Sequence, residues 1–193
     1  MVAISKSDAH EFPWYVRLFF WNQRRRYGAV LEPSKLWGRT PKVFVALAML
    51  YGALDRGSSP IAPALRTLVT VRVSQINWCR FCVDVNAATA LKRGINEEKL
   101  LAIAIFRDSA LFSAEEKAAL AYAEAMTCTH KHSSAEEFAH CREHFGEDAM
   151  IELTALIAFQ NLSSKFNAAL DVAPQGFCAV APALMREDVP GRH

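Results

Sequence analysis

LRTLVTVRVSQINWCRFCVDVNAATALKRG, residues 65–94, decides the fold, and it opens ambiguously. Its front part, TLVTVRV at 67–73, has the Thr and Val content of a strand. The spacing argues for a helix. Leu65, Leu68, Val69, Val73 and Ile76 recur at three- and four-residue steps and form one apolar face over 62–77. A second helix runs from about Arg80 to Arg93 and stops at Gly94, a residue suited to the left-handed position just past a helix end.

The flanks agree. Pro41 opens a helix to about Leu54, and DRGSSP at 55–60 is a loop. Asn96 caps the next helix, with Glu97 and Glu98 near its positive end. Ser113 with Glu116, and Ser134 with Glu137, have capping-box spacing. The second box precedes a short helix expected to end at Gly146, and a last long helix runs from about Asp148 to Leu170. No segment alternates convincingly, so the expected class is all-α, a helical bundle in one domain over 41–193.

Residues 1–40 differ. FPWYVRLFFWNQRRRYG packs six aromatics before a basic triplet at Arg24, Arg25 and Arg26. A helix started by Pro13 would be apolar nearly all round from Trp14 to Trp21, which predicts an arm packed on the body or on a neighbouring subunit. An interfacial membrane helix with a basic collar is the competing reading, and no second anchoring signal supports it.

Bulk properties exclude several classes. The chain has 193 residues, is 52% apolar and carries a net charge of +2, so neither disorder nor nucleic-acid binding has a compositional argument. No secretory leader is visible, and the longest apolar run, beginning VFVALAML at residue 43, is too short to span a bilayer. A cytoplasmic protein is expected. There is no P-loop, GxGxxG or GxSxG.

Five cysteines suit free thiols in a reducing compartment. Cys79 and Cys82 lie three apart and share a helix face. If they open the helix near Arg80, unpaired backbone N–H groups and the positive dipole end favour a thiolate there. A redox dithiol fits that placement. Structural zinc usually needs a second pair, which is lacking, and two buried core thiols are the plain alternative. Cys128, Cys141 and Cys178 have no close partner in sequence and read as core. His140 and His144, with Glu136 one turn earlier, could chelate a metal, but a solvated helix face is the plainer reading, and neither metal nor cofactor is expected.

The 65–94 stretch resembles the core motif of the carboxymuconolactone decarboxylase superfamily, on its alkylhydroperoxidase D-like (AhpD-like) branch. FSAEEKAALAYAEAMT at 112–127 and IELTALIAFQNLSSKFNAAL at 151–170 resemble that family's later helices, so the likeness covers about 41–175. The resemblance implies an all-α homo-oligomer (dimer, trimer or hexamer) with a peroxide-reducing dithiol. It implies that Cys82 attacks the peroxide, that Cys79 resolves the sulfenic acid to a disulfide, and that a thiol or lipoyl-type protein reduces it. A small organic hydroperoxide or similar oxidant is the implied substrate.

The family's relay has a glutamate twelve residues before the first cysteine and a histidine four after the second. Thr67 and Asn86 stand there, and neither titrates near neutral pH. Asn86, one turn from Cys82, could hydrogen-bond it but not carry a proton away. Activation then falls to the helix terminus, helped by Arg72 or Arg80, which predicts weak peroxidase activity. The alternative is a non-catalytic redox-sensing or binding member of the family. Trp78 and Phe81 are expected to line an apolar approach to the thiols.

Overall fold

The computed structural model describes residues 12–128 and 134–185, and those residues are helical with no strand among them. In chain order the helices are α1 (Trp14–Tyr27), α2 (Glu32–Trp37), α3 (Pro41–Leu54), α4 (Pro63–Ile76), α5 (Arg80–Lys92), α6 (Glu97–Leu101), α7 (Ala114–Thr127), α8 (Ser134–Arg142) and α9 (Glu147–Ala169). None is long and apolar enough to cross a membrane.

The ambiguous stretch is helical, and α4 is the centre of the bundle, packed on α5, α7 and α9. Leu68, Val69, Val71 and Val73 are all fully buried. The expected single apolar face proves too narrow, because Arg66, Thr67, Arg72, Ser74 and Gln75 are buried as well. Each of these side chains makes at least one hydrogen bond, which is what makes such burial tolerable. Arg72 Nε donates to Glu124 of α7 at 2.7 Å, and Gln75 Nε2 donates to the Leu184 carbonyl at 2.8 Å. Full burial on several sides explains why β-branched residues cost the helix little: packing outweighs local preference.

The caps follow local chemistry. Asn96 Oδ1 accepts from Lys99 N at 2.8 Å. Ser113 and Glu116 close a capping box. Gly94 takes φ 85°, as the end of α5 requires. In the Ser134–Glu137 pair only the Ser134 side chain lies outside what the structure describes, and α8 includes both residues. Gly146 corrects one expectation. The helix before it ends at Arg142, and Gly146, at φ −67° and ψ 170°, caps the start of α9 instead. Glycine is acceptable at an N-cap, so its position alone did not say which helix it served.

The N-terminal helices pack their own aromatic cluster. Val16 and Phe20 of α1 are buried with Phe12, Val30 and Phe44, the last from α3. Trp37 of α2 stacks on Phe166 of α9 with ring centroids 3.6 Å apart. Trp14, Leu18 and Trp21, on the rest of α1, are exposed. The segment after α9 is held by Asp84 of α5, whose carboxylate accepts backbone N–H groups of Gln175, Gly176 and Cys178, each at 2.8 Å. Gln175 in turn accepts from Glu32 N at 2.9 Å, so one loop ties α2 to α5.

Candidate active site

The link from α4 to α5 sets the thiols. Trp78 sits at φ 54°, the left-handed position where α4 ends, and Cys79 N donates back to the Ser74 carbonyl at 3.0 Å. That turn places Cys79 at the N-cap of α5, where its sulfur accepts the Cys82 backbone N–H at 3.2 Å. The two side chains are thus brought together at the positive end of a helix. Both are free thiols and both are buried.

They are not equivalent. Asn167 of α9 donates its Nδ2 to Cys82 Sγ at 3.2 Å. Burial pushes the Cys82 thiol up, but hydrogen bonds from Cys79, Asn167, Ser163 and Gln160 outweigh it and bring the group below its ordinary value. Cys79 goes the other way. Its hydrogen bond with Cys82 raises it most, followed by burial and by the charge on Cys82. Of the two, Cys82 is therefore the thiol that ionises more readily, because the extra donors of α9 converge there.

Cys82 also faces a cavity of about 190 Å³, whereas Cys79 does not line that space. The walls come from five helices: Tyr27 of α1, Trp37 of α2, Phe44 of α3, Phe81 of α5 and Phe159 of α9 mark them. Among the described residues, no Asp, Glu, His, Lys or Arg lines the cavity, so Cys82 is its most acidic group. The arrangement sets the more acidic thiol of the pair against the cavity and holds the second thiol beside it.

The other expected residues are placed as follows. Phe81 and Asn86 line the cavity, but the Asn86 amide donates to Ser74 Oγ at 3.3 Å and not to the thiol. Gln160 Nε2 shares that oxygen at 2.8 Å. Thr67 is in a smaller adjoining cavity, where its hydroxyl accepts from Arg93 at 2.9 Å and donates to the Pro63 carbonyl at 2.8 Å. Trp78 is 45% exposed and outside the cavity, because its left-handed backbone turns the ring away from the thiols. Arg72 and Arg80 do not serve the thiols either. Arg72 is taken by Glu124, and Arg80 pairs at the surface with Asp171 at 2.9 Å.

Gln160, Ser163 and Asn167 were not singled out in the sequence. Their three- and four-residue spacing puts them on one face of α9, and polar residues recurring on an otherwise apolar helix were the available signal. Asn167 Oδ1 is buried with no hydrogen-bond partner among the described residues. On α8 and the turn after it, His140, Glu143 and His144 bring ligand atoms within 4.8 Å of one another; all three are exposed, and Glu136 is not part of the group.

Comparison with known proteins agrees with this geometry. The model of the carboxymuconolactone decarboxylase family matches residues 41–125. The uncharacterized protein YnjA of Escherichia coli K12 is 42% identical over 170 residues, 88% of this chain and 93% of that protein. The debrominase Bmp8 superposes with a TM-score of 0.82 at 23% identity, over 95% of this chain and 98% of that one. A cysteine-to-alanine variant of Bmp8 is known in complex with 2,3,4-tribromopyrrole. An alkylhydroperoxidase AhpD core protein from Ralstonia eutropha JMP134 superposes with a TM-score of 0.77 at 20% identity, over 98% and 96% of the two chains. At these identities the structural likenesses speak to the fold alone.

Proposed function

The chain belongs to the carboxymuconolactone decarboxylase family, on its AhpD-like branch, and from that premise we propose that it is a thiol-dependent reductase of small uncharged organic hydroperoxides. The observation that carries this reading is the asymmetry of the pair: the sulfur that ionises more readily is also the one that faces the cavity. Cys82 attacks the terminal oxygen of RO–OH, forming S–O and breaking O–O. Cys79 then attacks the sulfenic sulfur, a disulfide forms and water leaves. An external dithiol, free or on a lipoyl-type protein, returns the pair to the reduced state. Uncharged walls favour an organic hydroperoxide with an apolar body. A second copy of the chain would cover the exposed Trp14, Leu18 and Trp21.

A second reading draws on the likeness to a debrominase and on the aromatic walls of the cavity. The same thiolate could take bromine from a brominated ring, the ring leaving as a carbanion that needs a proton. Cys79 would then displace bromide to give the same disulfide.

The test is steady-state consumption of cumene hydroperoxide with dithiothreitol as reductant. Wild type should turn over, and Cys82→Ser and Cys79→Ser should each stop. An inert wild type with a reversibly formed Cys79–Cys82 disulfide would make the protein a redox sensor instead. Consumption of 2,3,4-tribromopyrrole without consumption of hydroperoxide would favour the second reading.

A further inference from the structure

The reaction proposed above leaves one proton without a source. Thiolate attack on RO–OH oxidises the Cys82 sulfur, reduces the peroxide and releases RO⁻. Cys82 reacts as a thiolate and has no proton to give, and Cys79 gives its own to the hydroxide lost in the second step. Thr67 and Asn86 do not titrate near neutral pH. Apart from Cys82, the titratable groups lining the cavity are two phenols, Tyr27 and Tyr51.

Tyr51 is the better placed. Phe44, Leu47, Ala48 and Tyr51 form one stripe of α3, which makes the cavity wall shared with Cys82, Val85, Asn86 and Thr89 of α5. Tyr51, Asn86, Thr89 and Gln160 also line the smaller adjoining cavity, so Tyr51 belongs to the end of the site where Asn86 stands, one turn from Cys82. The residue as a whole is 44% exposed, so it has access to solvent as well as to the cavity, although its hydroxyl is the part that burial desolvates.

We propose that Tyr51 is the proton donor to the leaving alkoxide, filling the part that Thr67 and Asn86 cannot. The inference rests on the peroxidase reading. The O–O bond breaks toward RO⁻, the Tyr51 hydroxyl proton moves to that oxygen to give ROH, and the tyrosinate regains a proton from solvent. Desolvation first, then the nearby Tyr27 and Asp55, push the Tyr51 hydroxyl up to about 12. It therefore holds its proton at neutral pH. It still yields it to an alkoxide, whose conjugate alcohol is roughly as weak an acid as water and weaker than a phenol.

The experiment compares two small uncharged reagents in single-turnover oxidation of the reduced protein. Cumene hydroperoxide leaves an alkoxide, which needs the proton. Methyl methanethiosulfonate transfers its thiomethyl group to Cys82 and leaves a sulfinate, which does not. Tyr51→Phe should slow the hydroperoxide reaction by about 10²-fold or more and leave the thiosulfonate reaction near the wild-type rate. Tyr15→Phe, on the exposed side of α1 and outside the cavity, should leave both near wild type. The proposal is overturned if Tyr51→Phe slows both reactions equally or neither, or if Tyr27→Phe shows the selective loss instead. If wild type reacts with the thiosulfonate at Cys82 but never with the hydroperoxide, the peroxidase reading fails and this inference falls with it.

Discussion

Two buried polar clusters of this molecule treat their acidic group differently. At the junction of α4 and α7 the Arg72 guanidinium meets the Glu124 carboxylate, Arg107 binds the same carboxylate at 2.5 Å, and Gln75 takes a further Arg72 N–H at 3.2 Å. Charge meets opposite charge there and the donors are used. At the junction of α5 and α9 the Cys82 thiolate meets neutral donors only, and the amide serving it leaves its own oxygen unpaired. The first arrangement is closed and holds helices together. The second is stable enough to keep a thiolate but leaves it uncompensated beside an open cavity, which is what a nucleophile requires.

Removing a partner from each place should break this contrast in opposite ways. Glu124→Ala strands the buried Arg72, and loss of one partner from a buried pair typically costs about 3–5 kcal/mol. A fall of that size in urea-unfolding stability is expected, with the reactivity of Cys82 in the still-folded fraction close to wild type. Asn167→Ala should do the reverse. A hydrogen bond to a charged group contributes about 1.5–3 kcal/mol, so the Cys82 pKa rises and the alkylation rate at neutral pH falls by roughly ten- to a hundredfold.

The sign of the pH dependence follows from the direction of the shift. Because the Cys82 pKa is lowered, wild type keeps its thiolate as pH drops below the usual thiol range and loses reactivity only on passing through the lowered value. In Asn167→Ala that loss should begin at higher pH. Iodoacetamide labelling across pH reads both profiles. The smallest effect belongs to Arg80→Ala. Its pair with Asp171 is exposed on both sides, so stability should change by less than about 1 kcal/mol and the labelling rate should hold. A large drop in labelling would restore Arg80 as an activator of the thiols.

The same contrast explains what was legible in the sequence. Helix ends are local, so Pro41–Leu54 and the Ser113–Glu116 box can be read from the residues themselves. The nucleophile pair is local too, since three residues separate the sulfurs. What surrounds them is not. Asn167 is 85 residues from Cys82, and helical spacing shows only that it shares a face with Gln160 and Ser163, not what that face meets. Arg72 looked like a cation near the thiols because it is close in sequence, but the fold pairs it with Glu124, 52 residues away. Trp78 looked like part of an apolar approach because aromatics near a site usually are. A left-handed backbone at that residue, which sequence rarely reveals outside Gly and Asn, turned it outward.

The central claim is that Cys82 is the thiol that meets the oxidant and Cys79 the one that resolves it. Intact-mass analysis of the reduced protein after one equivalent of cumene hydroperoxide tests it most directly. The account predicts that wild type loses two hydrogens to a Cys79–Cys82 disulfide, that Cys79→Ser gains one oxygen trapped as a sulfenic acid on Cys82, and that Cys82→Ser is unchanged. Oxidation of Cys82→Ser at the wild-type rate, or a wild type that emerges with its mass unaltered, would contradict it.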